Sequence, residues 1–219
     1  MKILFIASEV APFSKTGGLG DVAGALPAAL AALGHEVKVV TPRYSEVKES
    51  RLSPTGHALQ LRFPFGTEGG QILSLRLSER HEVLFLENRH FFERGGIYRD
   101  AFGDYGDTHR RFAYLSMGAL QAAQRLRFFP DIVHLNDWQT GLAAVALRRG
   151  FHGTPLARAR TVFTIHNLAY QGQFGKDVMG ELGLPWDLFT SHGGLEFYDT
   201  VNFLKGGVTF SDAVTTVSP

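Results

Sequence analysis

Four polar side chains and a cluster of glycines stand out by type and placement. Lys15-Thr16-Gly17-Gly18-Leu19-Gly20-Asp21 puts a flexible cation, several glycines and a carboxylate into one short stretch. Asp137 follows the apolar run Asp131 to Leu135, in Asn136-Asp137-Trp138, and His166 follows Arg160 to Ile165, in His166-Asn167. Glycines let backbone approach a ligand closely, and a helix start offers free N–H groups and a positive dipole end to an anion or a sugar hydroxyl. An ammonium, carboxylates and an imidazole around such a turn suit a polar, anionic substrate.

These residues need elements to bring them together. Ile3 to Ala7 is an apolar run short enough for a buried strand. Beyond the glycines, Val22, Ala25, Leu26, Ala29, Leu30 and Leu33 recur at helical spacing, with Gly34 as the stop. Strand, glycine-rich turn and helix open a doubly wound α/β sheet, whose ligand sits beyond the carboxyl edge of the strands. The informative polar residues are then those at strand ends: Ser8 and Glu9, Thr41, Glu87 and Asn88, Asn136 and Asp137, His166 and Asn167, and Ser218. Lys15, Asp21, Asp137 and His166 are expected around one crevice.

Further strands are read at Glu36 to Thr41, Asp131 to Leu135, Arg160 to Ile165 and Ala213 to Val217. Between them, Ala58 to Phe65, Gln71 to Leu77 and His81 to Leu86 form an antiparallel excursion, its first pair joined through Gly66 to Gly70. Tyr44 to Thr55 and Arg89 to Gly106 read as loops, Gly172 to Gly194 as loop with helical pieces. Asp107 starts a helix whose Phe112, Leu115, Ala119, Ala122 and Leu126 share a face. Gln139 to Arg149 and Asp199 to Phe210 complete the helices. Alternating strands and helices predict a mostly parallel, Rossmann-like α/β sheet. A final strand without a helix after it predicts that the chain is one part of a longer protein.

Composition narrows the class. With 22 Lys and Arg against 21 Asp and Glu, the net charge is +1, which argues against nucleic acid as a partner. The absence of cysteine excludes disulfides and thiolate chemistry and fits a cytoplasmic protein. No apolar run reaches the roughly 18 residues of a membrane span. The eight histidines other than His166 show no metal-ligand spacing, and His134 is expected on the opposite strand face from Asn136.

Each candidate has a structural reading beside the functional one. Gly17 to Gly24 serves equally as a tight strand–helix connection, Asp21 and Asp137 as helix caps, His166 as a hydrogen-bonded structural histidine, Lys15 as a solvated lysine, and Trp138 and Trp186 as core. A nicotinamide-dinucleotide fold competes, because Gly18-Leu19-Gly20 starts its fingerprint. Gly24 comes one residue late for it, however, and Val40-Thr41-Pro42 offers no acidic residue to the ribose hydroxyls.

The larger blocks carry a resemblance along the whole chain, Met1 to Pro219. They are Ser8-Glu9-Val10-Ala11-Pro12, Lys15 to Val22, His134-Leu135-Asn136-Asp137-Trp138-Gln139-Thr140-Gly141 and Thr164 to Gly172. Gly194-Leu195-Glu196-Phe197 and Asn202 to Gly207 complete them. Together they resemble the bacterial glycogen synthases and plant starch synthases, retaining glucosyltransferases of the GT-B fold. The resemblance implies a two-domain hexosyltransferase that moves glucose from ADP-glucose to the 4-hydroxyl of a growing α-1,4-glucan, without metal or other cofactor. It implies that residues 1–219 are the amino-terminal, acceptor-side half, that the carboxyl-terminal nucleotide-sugar half is absent, and that this chain alone is inactive. By the same resemblance Asp21, Asp137 and His166 are catalytic candidates. Lys15, Gly17, Gly18, Tyr98, Asn136, Trp138 and Asn167 are substrate-binding candidates, Lys15 and Tyr98 on the donor. The alternative from another class is a non-catalytic glucan- or nucleotide-binding module, whose Phe91, Phe92, Tyr98, Phe102 and Trp186 would stack on sugar rings.

Overall fold

The structure, a computed structural model, describes residues 1–218. In chain order the elements are β1 (Lys2–Ile6), α1 (Gly18–Ala32), β2 (Glu36–Pro42), β3 (Ser53–Phe63), β4 (Gly66–Ser78), β5 (His81–Leu86), α2 (Arg89–Phe92), β6 (Arg99–Asp100) and β7 (Gly103–Asp104). They continue through α3 (Thr108–Arg125), β8 (Ile132–Asn136), α4 (Gly141–Arg149), β9 (Arg160–Ile165), β10 (Gln173–Phe174), α5 (Asp177–Leu182), β11 (Glu196–Phe197), β12 (Thr200–Asn202), α6 (Phe203–Phe210) and β13 (Ala213–Thr216).

Eight strands form one sheet in the order β13-β9-β8-β1-β2-β5-β4-β3. The pairs from β13 to β5 are all parallel, and β5 to β4 to β3 are antiparallel, so the sheet is the expected mostly parallel α/β sheet with an antiparallel excursion. Alternation along β1 shows why the strand is apolar from Ile3 to Ile6. Ile3 and Phe5 enter the core on the α1 side, with Val37, Val39, Val83 and Phe85, whereas Leu4 and Ile6 enter the larger core under α3 and α4. The chain leaves β1 toward β2 on one side and later returns to β8 on the other. This reversal beside β1 is a topological switch point, where a crevice opens at the carboxyl ends.

Several expectations need correction. Gly66 to Gly70 are not the hairpin connection. They belong to β4, and the turn is Pro64-Phe65. Gly70 has no room for a Cβ, which would fall on the Glu87 carbonyl oxygen, so glycine here serves close packing. The helix read over Asp199 to Phe210 is β12 followed by α6. Asn202 ends the strand and caps the helix, its side chain accepting from the Lys205 N–H at 2.8 Å. Short elements, α2, β6 and β7, interrupt the loop read over Arg89 to Gly106. His134 shares its strand face with Asn136, as residues two apart must, because Val133 and Leu135 fill the core on the other face. The expected stop at Pro219 lies outside the described residues.

Candidate active site

A cleft of about 1170 Å³ opens at the carboxyl ends of β1, β8 and β9. Asp137, Trp138, His166 and Asn167 line it from the β8 and β9 ends, Gly17 and Gly18 from the start of α1, and Tyr98 and Tyr105 from the segment around β6 and β7.

Asp137 has φ +57° and ψ 178°, a backbone region that is nearly glycine-only and costs on the order of 1–3 kcal/mol. Surrounding bonds hold it there. Its N–H donates to the Thr164 carbonyl (2.9 Å), and its Oδ1 accepts from the His166 N–H (2.7 Å) and the Asn167 N–H (3.3 Å). The carboxylate therefore clips the end of β8 to the end of β9, and Oδ2 has no hydrogen-bond partner among the described residues. The His166 Nε2 lies 2.9 Å from Asn136 Oδ1, while Asn136 Nδ2 donates to the Ile6 carbonyl (3.0 Å). Since the Asn136 amide group is committed to Ile6, its Oδ1 accepts, and neutral His166 carries its proton on Nε2. Burial raises the Asp137 carboxyl above the ordinary aspartate value and lowers His166 below the ordinary histidine value.

Gly17, in extended conformation, is the N-cap residue of α1, and a Cβ at Gly17 or Gly18 would meet nothing within 4 Å. Packing within the chain does not demand these two glycines. By contrast a Cβ at Gly24 would sit 2.7 Å from the Ala11 carbonyl oxygen, so that glycine seats α1 against the loop after β1.

Of the residues expected around one crevice, Lys15 and Asp21 are not among the lining. They pair with each other at 2.7 Å on the exposed side of the glycine turn. Asp21 is not a cap either, since α1 already begins at Gly18. Asp137 precedes a short 3-10 turn, Trp138–Thr140, without capping it through its side chain. Asn136 is buried behind the lining as the partner of His166. Trp138 is both core and lining, edge-on to Phe112 with ring centroids 5.2 Å apart. Trp186, read as core, is 59% exposed. The Tyr98 hydroxyl donates to Glu9 Oε1 (2.6 Å) and lies 2.8 Å from Ser8 Oγ, so what it offers the cleft is its ring. Glu9, Thr16, Tyr105 and Gln171 also line the cleft. Glu9 carried a signal for this in its place at the end of the first apolar run, and Thr16 in its place within the glycine stretch, but neither was among the expected site residues. Among the described residues, no three His, Cys, Asp or Glu side chains gather where they could hold a metal ion, and no helix is long and apolar enough to cross a membrane.

Below the lining, the His134 Nε2 lies 2.7 Å from Thr164 Oγ1, and burial pulls the ring down to about 4. An unfolded histidine takes its proton near pH 6.5, so the folded state is the poorer proton binder. The stability held by neutral His134 is complete above pH 6.5 and lost as pH falls toward 4, by up to roughly 3 kcal/mol. Urea midpoints at pH 7.5 and pH 4.5 should show that decline, and His134→Gln should flatten part of it. An unchanged pH profile in His134→Gln would assign the decline to other groups.

The family model for the starch synthase catalytic domain matches residues 2–219. The chain is 73% identical over 221 residues to the glycogen synthase of Myxococcus xanthus (strain DK1622), covering 100% of this chain and 46% of that protein. It is 56% identical over 224 residues to that of Anaeromyxobacter sp. (strain Fw109-5), covering 100% and 45%. The chain thus spans about half the length of these relatives. Among solved structures, the catalytic domain of Starch Synthase IV from Arabidopsis thaliana, bound to ADP and acarbose, superposes with a TM-score of 0.88 at 34% identity, over 99% of this chain and 45% of that one. With the family matched along nearly all its length and the fold agreeing, the chain belongs to the glycogen and starch synthase family of glycosyltransferases.

Proposed function

We propose that the protein carrying this chain transfers glucose from ADP-glucose to the 4-hydroxyl of an α-1,4-glucan, with retention at the anomeric carbon, in the cytoplasm. The chain is its amino-terminal, acceptor-side domain, one wall of a cleft that a second Rossmann-like domain completes. The observation that carries this is the convergence of Gly17, Gly18, Asp137, His166 and Asn167 on one cleft at the switch point of the sheet. At about 1170 Å³ it has room for a nucleotide sugar and an acceptor sugar together. The ADP and acarbose bound by the Arabidopsis relative support the same two ligand classes.

The chemistry follows from the geometry. Gly17 and Gly18, without side chains, let the diphosphate approach the backbone closely, and Gly18 and the next residues of α1 bring it N–H groups that have no intrahelical partner. Lys15 waits at the rim in an exposed pair with Asp21, an interaction of about 0–1 kcal/mol that a diphosphate displaces at little cost. Asp137 Oδ2 supplies negative charge beside an oxocarbenium-like glucose as the bond to the diphosphate breaks. His166 and Asn167, held through Asp137, shape the pocket around that sugar.

The test is glucose transfer from ADP-glucose to a maltooligosaccharide by the longer protein, its Gly18→Ala variant and the 219-residue chain. The longer protein should transfer glucose and the chain alone should not. Gly18→Ala should melt no lower than wild type, because alanine is favoured over glycine in a helix by about 1 kcal/mol. It should nevertheless lose activity, since the added methyl stands where the donor approaches. Turnover by the chain alone, or no transfer by the longer protein, would overturn this function. A fully active Gly18→Ala would remove the glycine turn from the donor site.

A further inference from the structure

The geometry points to Glu9 as a positioning residue that ties the glycine turn to the Tyr98 segment, so that two walls of the cleft are set by one side chain. This rests on the function proposed above for its kinetic consequence, but not for its structural one. Glu9 follows β1 and is only 3% exposed. No salt bridge reaches its carboxylate among the described residues, so its burial is balanced by neutral donors. Oε1 accepts from Thr16 Oγ1–H (2.8 Å) and from the Tyr98 hydroxyl (2.6 Å), and Oε2 accepts from the Thr16 N–H and the Gly17 N–H (3.3 Å).

A carboxylate offers about four lone-pair sites, and here all four are taken. Glu9 therefore cannot accept a proton from substrate or attack a sugar without releasing what it holds, and its role is to hold. On one side it fixes Thr16 and Gly17, immediately before Gly18 and Leu19, which line the cleft and whose N–H groups have no intrahelical partner. On the other it holds the root of a lobe that leaves at Tyr98 and returns at Tyr105, closed by the Tyr105 N–H on the Tyr98 carbonyl (3.1 Å). Arg99, Asp104 and Tyr105 of that lobe line the cleft, and Phe102 at its tip is 99% exposed. Arg94 and Arg111 stack on the Tyr105 ring at its base, and among the described residues no hydrogen bond or ion pair joins Asp100 to Gly103 at its outer end to a residue outside the lobe. Loosening Glu9 should therefore free both walls together.

Glu9→Gln keeps the shape and one acceptor but turns an amide donor toward the donors it must serve. In the longer protein, hydrogen exchange of the Thr16 and Gly17 amides and of residues 98–106 should speed up about tenfold or more, with β2 and α3 unchanged. KM for ADP-glucose should rise by about tenfold with a smaller change in kcat, as expected for lost positioning of a bound ligand. Adding Tyr98→Phe to Glu9→Gln should cost little more than Glu9→Gln alone, because the Tyr98 tie is already broken there. Faster exchange in the turn without the lobe, or throughout the sheet, would overturn the inference. So would a loss confined to kcat, or fully additive effects. If the wild-type protein does not use ADP-glucose, the function fails while the exchange pattern still decides the role of Glu9.

Discussion

Asp137→Asn is expected to fold normally and to lose on the order of 10²–10³-fold in kcat for glucose transfer by the longer protein. The substitution separates the anchoring seen in the structure from the electrostatic role proposed for the same side chain. As an anchor, Asp137 offers Oδ1 to the His166 and Asn167 N–H groups, and an asparagine carbonyl oxygen can take over that place. As an electrostatic group it presents Oδ2, and that charge is what asparagine removes. Asp137→Ala should lose as much activity and stability besides, because two backbone N–H groups lose their acceptor while the φ of +57° remains. Asp137→Gly should recover part of that stability by relieving the backbone, and no activity. Wild-type turnover in Asp137→Asn would reduce the residue to an anchor. The persistence of so costly a conformation at a strand end is itself a reason to expect function there.

Arg111→Ala should lower stability by about 3–5 kcal/mol, read from urea denaturation midpoints. Arg111 lies inside α3 with no exposed surface. Its Nε donates to the Phe91 carbonyl (2.7 Å) and its Nη2 to the Ile97 carbonyl (2.8 Å), while Tyr105 covers the guanidinium at 4.8 Å. Truncation leaves a cavity and deprives two backbone acceptors of their donor, just where the segment carrying Tyr98 begins. Burial also holds the guanidinium below its ordinary pKa, the sign of an expensive charge. Arg111→Met, which refills the space without charge, should therefore lose less than Arg111→Ala. A cost under about 1 kcal/mol for Arg111→Ala would mean that other contacts hold the segment.

The α/β character and the order of elements were legible because hydrophobic period reports which faces are buried. β1, β2, β5 and β9 appear within a residue or two of the expected runs, as does the helix after Asp107. Patterns of period 2 and 3.6 say little where an element is short or where glycine takes part in it. Gly66 to Gly70 therefore became strand, and Thr200–Asn202 left the expected helix to pair with β10 and β11. Trp186 read as core because aromatic residues usually are, yet the short helical turn that carries it leaves it in solvent.

For the site, the sequence by itself determined which residues stand at strand ends, and with them Asp137, His166 and the glycine turn as the places where chemistry could gather. That follows from a general property of wound sheets, in which carboxyl ends converge on the switch point. Only the tertiary structure decided what each side chain does there. It turned Lys15 and Asp21 toward each other, filled Glu9 with four donors, one of them 89 residues away, and gave Asp137 Oδ1 two backbone donors while Oδ2 has no hydrogen-bond partner among the described residues. Such pairings join segments far apart in the chain, and no local spacing encodes them. They arise when the sheet closes and each buried polar atom must find its partner among whatever the fold has brought near.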